Sequence, residues 1–151
     1  MRALEDATIA VIGSNSFSGA HFVAQALEIP GTRVVGLSRS PEYPDCMLAY
    51  AGLRSDRLRC ERVDLVRDLG KLMAILDDER PSFVVNFAAQ GEVASSFSHP
   101  LDHWQTNALG IVALVEALRT RSWLQRFMQI STPEVYGAMP VPATEDHPLS
   151  P

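Results

Sequence analysis

The sequence predicts an α/β protein built on a doubly wound parallel sheet. Three observations lead there: short β-branched runs that are apolar throughout, amphipathic helical stretches alternating with them, and a glycine-bearing turn directly after the first run. Strands apolar on both faces are expected where helices cover both sides of a sheet, as in parallel doubly wound folds.

Ala7–Gly13 (ATIAVIG) reads as the first buried strand. It leads into a helix with Phe17, Ala20, Val23, Ala24 and Leu27 at helical spacing. Pro30 and Gly31 stop that helix, and Arg33–Leu37 (RVVGL) forms the second strand. Ser38 to Arg57 contains Pro41 and Pro44 without a strong period, so a loop is expected, with a helical turn around Met47–Leu53. Leu58–Val63 is the third strand, and Val66–Leu76 a helix with Val66, Leu69, Leu72, Met73 and Leu76 on one face. Ser82–Phe87 is the fourth strand. A longer helix then runs through Trp104, Ala108, Ile111, Val112, Val115 and Leu118 to a fifth strand at Arg126–Ser131. Gly137 to Pro151, with four prolines and no apolar period, ends as a loop.

Composition excludes several classes. The chain has 151 residues, 46% of them hydrophobic, enough for one core, and no apolar run approaches the roughly 20 residues of a membrane span. Glu5 and Asp6 ahead of the first strand are the wrong charge pattern for a leader peptide. Cys46 and Cys60 match neither a CxxC motif nor a disulfide framework, so two free thiols and a cytoplasmic location are expected. A net charge of −5 offers no electrostatic footprint for nucleic acid. No metal site is expected. His99 and His103 lack the glutamate of a zinc-hydrolase helix and read as a helix boundary, and the adjacent Asp102 and His103 do not face each other.

The turn after the first strand runs Gly13-Ser14-Asn15-Ser16-Phe17-Ser18-Gly19. Backbone there can approach a pyrophosphate, with the N-terminal amides and dipole of the following helix directed at it. Gly13 permits the tight turn and Gly19 close helix packing, while Ser16 or Asn15 can cap the helix. At the end of the second strand, Ser38, Arg39 and Ser40 replace the carboxylate that would accept from the ribose of NAD. An arginine with flanking hydroxyls suits the 2′-phosphate of NADP, so the expected cofactor is NADP or NAD, with NADP favoured.

These residues resemble the extended short-chain dehydrogenase/reductases, the NAD-dependent epimerase/dehydratase family with its Rossmann-like fold, over nearly the whole chain. The family's middle glycine is Ser16 here. Asp64-Leu65 resembles the pair that contacts adenine. Asn86-Phe87-Ala88-Ala89-Gln90 resembles the alanine-rich signature beside the cofactor's ribose and nicotinamide. Val93, Ser96, Pro100, Asn107 and Gly110 match further family positions in order. Ser131-Thr132-Pro133-Glu134-Val135-Tyr136-Gly137 is similar to the STDEVYG of dTDP-glucose 4,6-dehydratases and the STSELYG of GDP-mannose 4,6-dehydratases.

The resemblance implies an enzyme acting on a nucleotide sugar. Cofactor contacts would come from Gly13, Asn15, Ser16, Phe17, Ser18, Gly19, Ser38, Arg39, Asp64, Leu65, Phe87, Ala88, Ala89, Gln90, Asn107 and Ser131. Thr132 would bond the sugar's 4-oxygen, and Glu134 would remove the C5 proton once C4 has been oxidised, since a 4-ketone acidifies that C–H. An acid at Glu134 favours dehydratase over 4-epimerase, although Pro133 stands where the dTDP-glucose enzymes carry an aspartate as general acid. The family's Tyr-x-x-x-Lys pair does not occur in this sequence. The resemblance therefore implies an incomplete NAD(P)-binding domain, cut after its fifth strand, with the substrate domain absent and the piece itself inactive. It also implies a homodimer formed through the helix around Asn107–Leu118 in the whole protein. The other reading is a non-catalytic NADP-binding module.

Overall fold

The computed structural model describes residues 4–139 and 142–151. The expectations for Met1–Asp6 and Gly137–Pro151 fall partly outside this range; the described part of the latter is loop and turn.

Five parallel strands, β1 (Thr8–Ile12), β2 (Arg33–Ser38), β3 (Leu58–Arg62), β4 (Phe83–Asn86) and β5 (Arg126–Gln129), stand in the order β3-β2-β1-β4-β5. The order reverses at β1, which pairs Ile12 with Leu37 on one side and with Asn86 on the other. A crevice therefore opens at the carboxyl ends of β1 and β4, the usual ligand position in open α/β sheets.

Side chains alternate across the sheet and feed two cores. Ile9 and Val11 face helix α1 (Phe17–Leu27), whose Ala20, Val23, Ala24 and Leu27 are buried against them. Ala10 and Ile12 face α2 (Leu69–Glu79) and α5 (Ile111–Leu118), which bury Leu72, Leu76, Leu114 and Leu118. Helix α1 therefore lies on one face of the sheet and the other two helices on the opposite one.

Four expectations need correction. The second helix begins at Leu69, not Val66, because the Asp64 carboxylate accepts from the amides of Val66 and Arg67 and holds those residues in a turn. The long helix is composite: α3 (Val93–Ser98), α4 (Pro100–Trp104), a π-helical segment (Gln105–Gly110) and then α5. Phe17, Trp104 and Val112, assigned to apolar faces, are exposed. The third strand is not apolar throughout. It is a sheet edge on which Arg59 pairs with Glu61 and Glu79, and charged side chains suit an edge.

The loop after β2 folds as expected, with one-turn helices at Asp45–Met47 and Ala51–Leu53. It also buries Leu48 and Tyr50 in the α1-side core.

Candidate functional site

The glycine turn forms the floor of the crevice. Gly13 has φ +84°, and a Cβ there would stand 2.7 Å from the amide nitrogen of Ala88. Only glycine lets β1 end this close to the β4 loop. A Cβ at Gly19 would collide with the Gly13 carbonyl, so this position too requires glycine. Ser16 is the helix cap, not Asn15: its hydroxyl accepts from the amide of Gly19 at 3.1 Å and its backbone is extended. No positive φ is required at Ser16, so a side chain is tolerated there. The amides of Phe17 and Ser18, in the first turn of α1, have no partner among the described residues. They sit at the positive end of the helix dipole and are available to an anionic group.

Asn15 turns inward. Its amide nitrogen donates to the carbonyls of Ser40 (3.2 Å) and Pro41 (2.8 Å). Ser38 is buried, its hydroxyl accepting from the Asn15 backbone amide at 3.0 Å and lying 3.1 Å from that of Ser14. Ser38 thus supports the turn, and Arg39 and Ser40 form the rim. Arg39 donates to Gln90 Oε1 at 3.3 Å, and Arg62 donates to the Arg39 carbonyl. Neither arginine has a carboxylate partner among the described residues.

Ten of the sequence-predicted residues line one groove of about 200 Å³: Gly13, Asn15, Ser16, Ser38, Arg39, Asp64, Leu65, Phe87, Ala88 and Ala89. Tyr43 and Thr106 join them. Gln90, Asn107, Ser131, Thr132 and Glu134 line a second hollow of about 520 Å³, together with Ser96 and His103. Ala89 borders both, so the two hollows adjoin along the carboxyl edge of the sheet.

Asn107 works through Gln90, accepting from its backbone amide and donating to its carbonyl, both at 2.8 Å. Thr132 and Glu134 are exposed, at the entry and in the first turn of a short 3-10 helix, Pro133–Tyr136, that follows β5. Tyr136 packs edge-on against His147, and Ser150 donates to the Val135 carbonyl, so the described C-terminal residues back this turn. Chemically, the second hollow offers two carboxylates, Glu92 and Glu134, and three hydroxyls, Ser96, Ser131 and Thr132, beside the groove.

His99 and His103 each lie beside a serine hydroxyl, Ser98 and Ser95 respectively, and no group of three metal-binding side chains occurs among the described residues.

Sequence reasoning gave no role to two residues, Asn86, quoted only as the start of the alanine-rich signature, and Tyr50. Asn86 is fully buried at the end of β4, where its Oδ1 accepts from the Ala88 amide and its Nδ2 donates to Gln129. It shapes the Ala88–Ala89 turn, and a polar residue closing an apolar strand is the signal that could have found it. Tyr50 reaches the glycine turn from a loop and has no comparable local signal.

Known proteins match this chain in sequence and in fold. A dTDP-glucose 4,6-dehydratase from Xanthomonas campestris pv. campestris (strain B100) is 34% identical over 148 residues, covering 88% of this chain and 40% of its own length. UDP-glucose 4-epimerase 1 from Oryza sativa subsp. japonica is 31% identical over 147 residues, covering 94% and 41%. The chain thus spans about 40% of the length of these relatives. The crystal structure of a UDP-glucose-4-epimerase from Stenotrophomonas maltophila, with bound NAD and formylated UDP-arabinopyranose, superposes with a TM-score of 0.80 at 22% identity. It covers 95% of this chain and 43% of that one, a likeness of fold. A family model described as GDP-mannose 4,6 dehydratase matches residues 11–151, and the chain belongs to this family, within the NAD-dependent epimerase/dehydratases.

Proposed function

We propose that this chain is the dinucleotide-binding part of an NAD(P)-dependent nucleotide-sugar 4,6-dehydratase. The observation that carries the reading is the adjacency of the two hollows, a glycine-floored groove and a second cavity holding Thr132 and Glu134, joined at Ala89. The pyrophosphate would rest on the amides of Phe17 and Ser18, and the adenosine end would lie between Arg39 and the Asp64–Leu65 backbone. When bound, the dinucleotide supplies the hydride acceptor. Thr132 then orients the sugar's 4-oxygen, and Glu134 takes the C5 proton as general base.

NADP is favoured over NAD because Arg39 and Arg62 flank the end of β2 without carboxylate partners among the described residues. A guanidinium pair of this kind suits the extra phosphate. The reading also requires a Tyr-x-x-x-Lys pair and a substrate domain supplied by further residues, so the 151-residue chain alone binds dinucleotide without turning over nucleotide sugar. Exposed Leu109 in the π-helical segment and Val112 and Val115 in α5 give an apolar surface suited to a homodimer of the whole protein. The free thiols of Cys46 and Cys60 suit the cytoplasm.

A 4-epimerase is the second reading, favoured by Pro133, which stands where the dTDP-glucose enzymes carry an aspartate as general acid. The test is to incubate the full-length protein and its Glu134→Gln variant with GDP-mannose and with dTDP-glucose, following product mass. Loss of one water from the sugar, slowed roughly 100-fold or more in the variant, is the expected result. Inversion at C4 without loss of water would replace dehydratase with epimerase. No turnover of any nucleotide sugar would leave a binding module.

A further inference from the structure

Tyr50 is fully buried although it lies in a loop. Its hydroxyl lies 3.3 Å from Asn15 Oδ1 in the glycine turn and 3.0 Å from Glu42 Oε1. Asn15 in turn holds the carbonyls of Ser40 and Pro41, so turn and loop are tied from both directions. Arg54 grips the same Glu42 oxygen at 3.2 Å and Asp45 at 2.7 Å, with its guanidinium 5.9 Å from the Tyr50 ring centre. Burial, then Cys60 and Glu42, holds the phenol's ionisation far above its ordinary range, so it stays a donor.

The loop carries two walls of the groove, Ser40 and Tyr43, directly after Arg39. Glu42 lies between those two residues in sequence yet does not line the groove; it lines a neighbouring hollow with Cys60 and Arg62, where Tyr50 and Arg54 hold it. Released from them, a carboxylate three residues from Arg39 would repel a phosphate at the rim and compete for that guanidinium.

We propose that Tyr50 is a positioning residue that selects the cofactor: by donating its one hydroxyl proton to Glu42, the nearer acceptor, and so holding that carboxylate away from the groove, it preserves the 2′-phosphate subsite at Arg39. The inference rests on the dinucleotide reading above. Its signature is selectivity, because loss of the phenol hydroxyl should weaken NADP more than NAD, whereas a general loosening of the fold would weaken both alike.

The test is calorimetric titration of the chain with NADP and with NAD, with circular dichroism to verify folding. Tyr50→Phe, which keeps the buried ring, should weaken NADP about fivefold or more and NAD by less than about twofold. Adding Glu42→Gln to Tyr50→Phe should restore NADP to within about twofold of wild type, since the repelling charge is then gone. Arg54→Gln loosens Glu42 from its exposed side and should reproduce the selective loss without endangering the core, which keeps the inference testable if Tyr50→Phe does not fold. Equal weakening of both nucleotides, no weakening of either, or failure of Glu42→Gln to restore NADP would overturn the role assigned to Tyr50. A wild-type chain that binds neither nucleotide would instead overturn the dinucleotide reading, and this inference with it.

Discussion

Asn107 holds Gln90 by both ends of its peptide unit, accepting from the backbone amide and donating to the carbonyl at 2.8 Å each. The contact spans 17 residues and fixes the loop after β4 against the π-helical segment. Gln90 lines the hollow of Thr132 and Glu134 and directly follows Ala89, which borders both that hollow and the groove, so this pairing braces the junction between the two.

Asn107→Asp keeps the acceptor but turns the donor into a charge facing the Gln90 carbonyl. We predict about fivefold weaker dinucleotide binding, the equivalent of about 1 kcal/mol for one lost hydrogen bond, with little change in melting temperature. Titration alongside thermal melting would check both halves.

Gly13→Ala should fail differently. The residue has φ +84°, and the added methyl would stand 2.7 Å from the Ala88 nitrogen and 2.8 Å from the Phe87 carbonyl carbon. Strain of about 1–3 kcal/mol is expected from the backbone conformation alone, with the clash added to it. The variant should melt at clearly lower temperature and bind no dinucleotide, measurable by thermal melting and calorimetry.

Asp77 accepts from Arg121 through both oxygens and from the Trp123 indole, tying α2 to the segment before β5. The Arg121 guanidinium, then Trp123, holds its carboxyl below the usual 3.8. A depressed folded-state value stabilises the fold above pH 3.8, and that stabilisation is lost as pH falls through the folded value. Asp77→Asn should therefore lower the melting temperature by a few degrees at pH 7, with the gap from wild type closing below pH 4. A gap that persists unchanged in acid would contradict the assignment.

The two cysteines should differ in reactivity. Cys46 is exposed, while burial, followed by the nearby Glu42 carboxylate, pushes Cys60 from 9.0 to about 11. At pH 8 a thiol reagent should modify Cys60 roughly 100-fold more slowly in the folded chain than in denaturant, for want of thiolate. The folded state favours the neutral thiol, so this stabilisation is full below pH 9 and fades as pH rises towards 11. Labelling followed by peptide mass spectrometry checks the rates.

The strands and the glycine turn were legible because their signals are local: apolar runs, glycines at fixed spacing, helical periods. The placement of Gly13 against Ala88, far apart in sequence, followed from parallel pairing of β1 with β4. The start of α2 was misplaced because one side chain, Asp64, outcompetes the helix for two amides. Trp104 and Val112 have helical spacing yet face outward, since the π-helical segment rotates the apolar stripe along the helix. Tyr50 was invisible because its value depends on a loop closing over 35 residues onto Asn15, a relation no spacing rule encodes.

The central claim is that the groove between Gly13, Arg39 and Ala88 receives a dinucleotide. Calorimetric titration of the wild-type chain with NADP and NAD, beside Gly13→Ala, tests it most directly. Saturable one-to-one binding of both nucleotides, tighter for NADP, and none to the variant, is the expected result. A folded wild-type chain that takes up neither nucleotide, or a Gly13→Ala chain that binds as well as wild type, would contradict it.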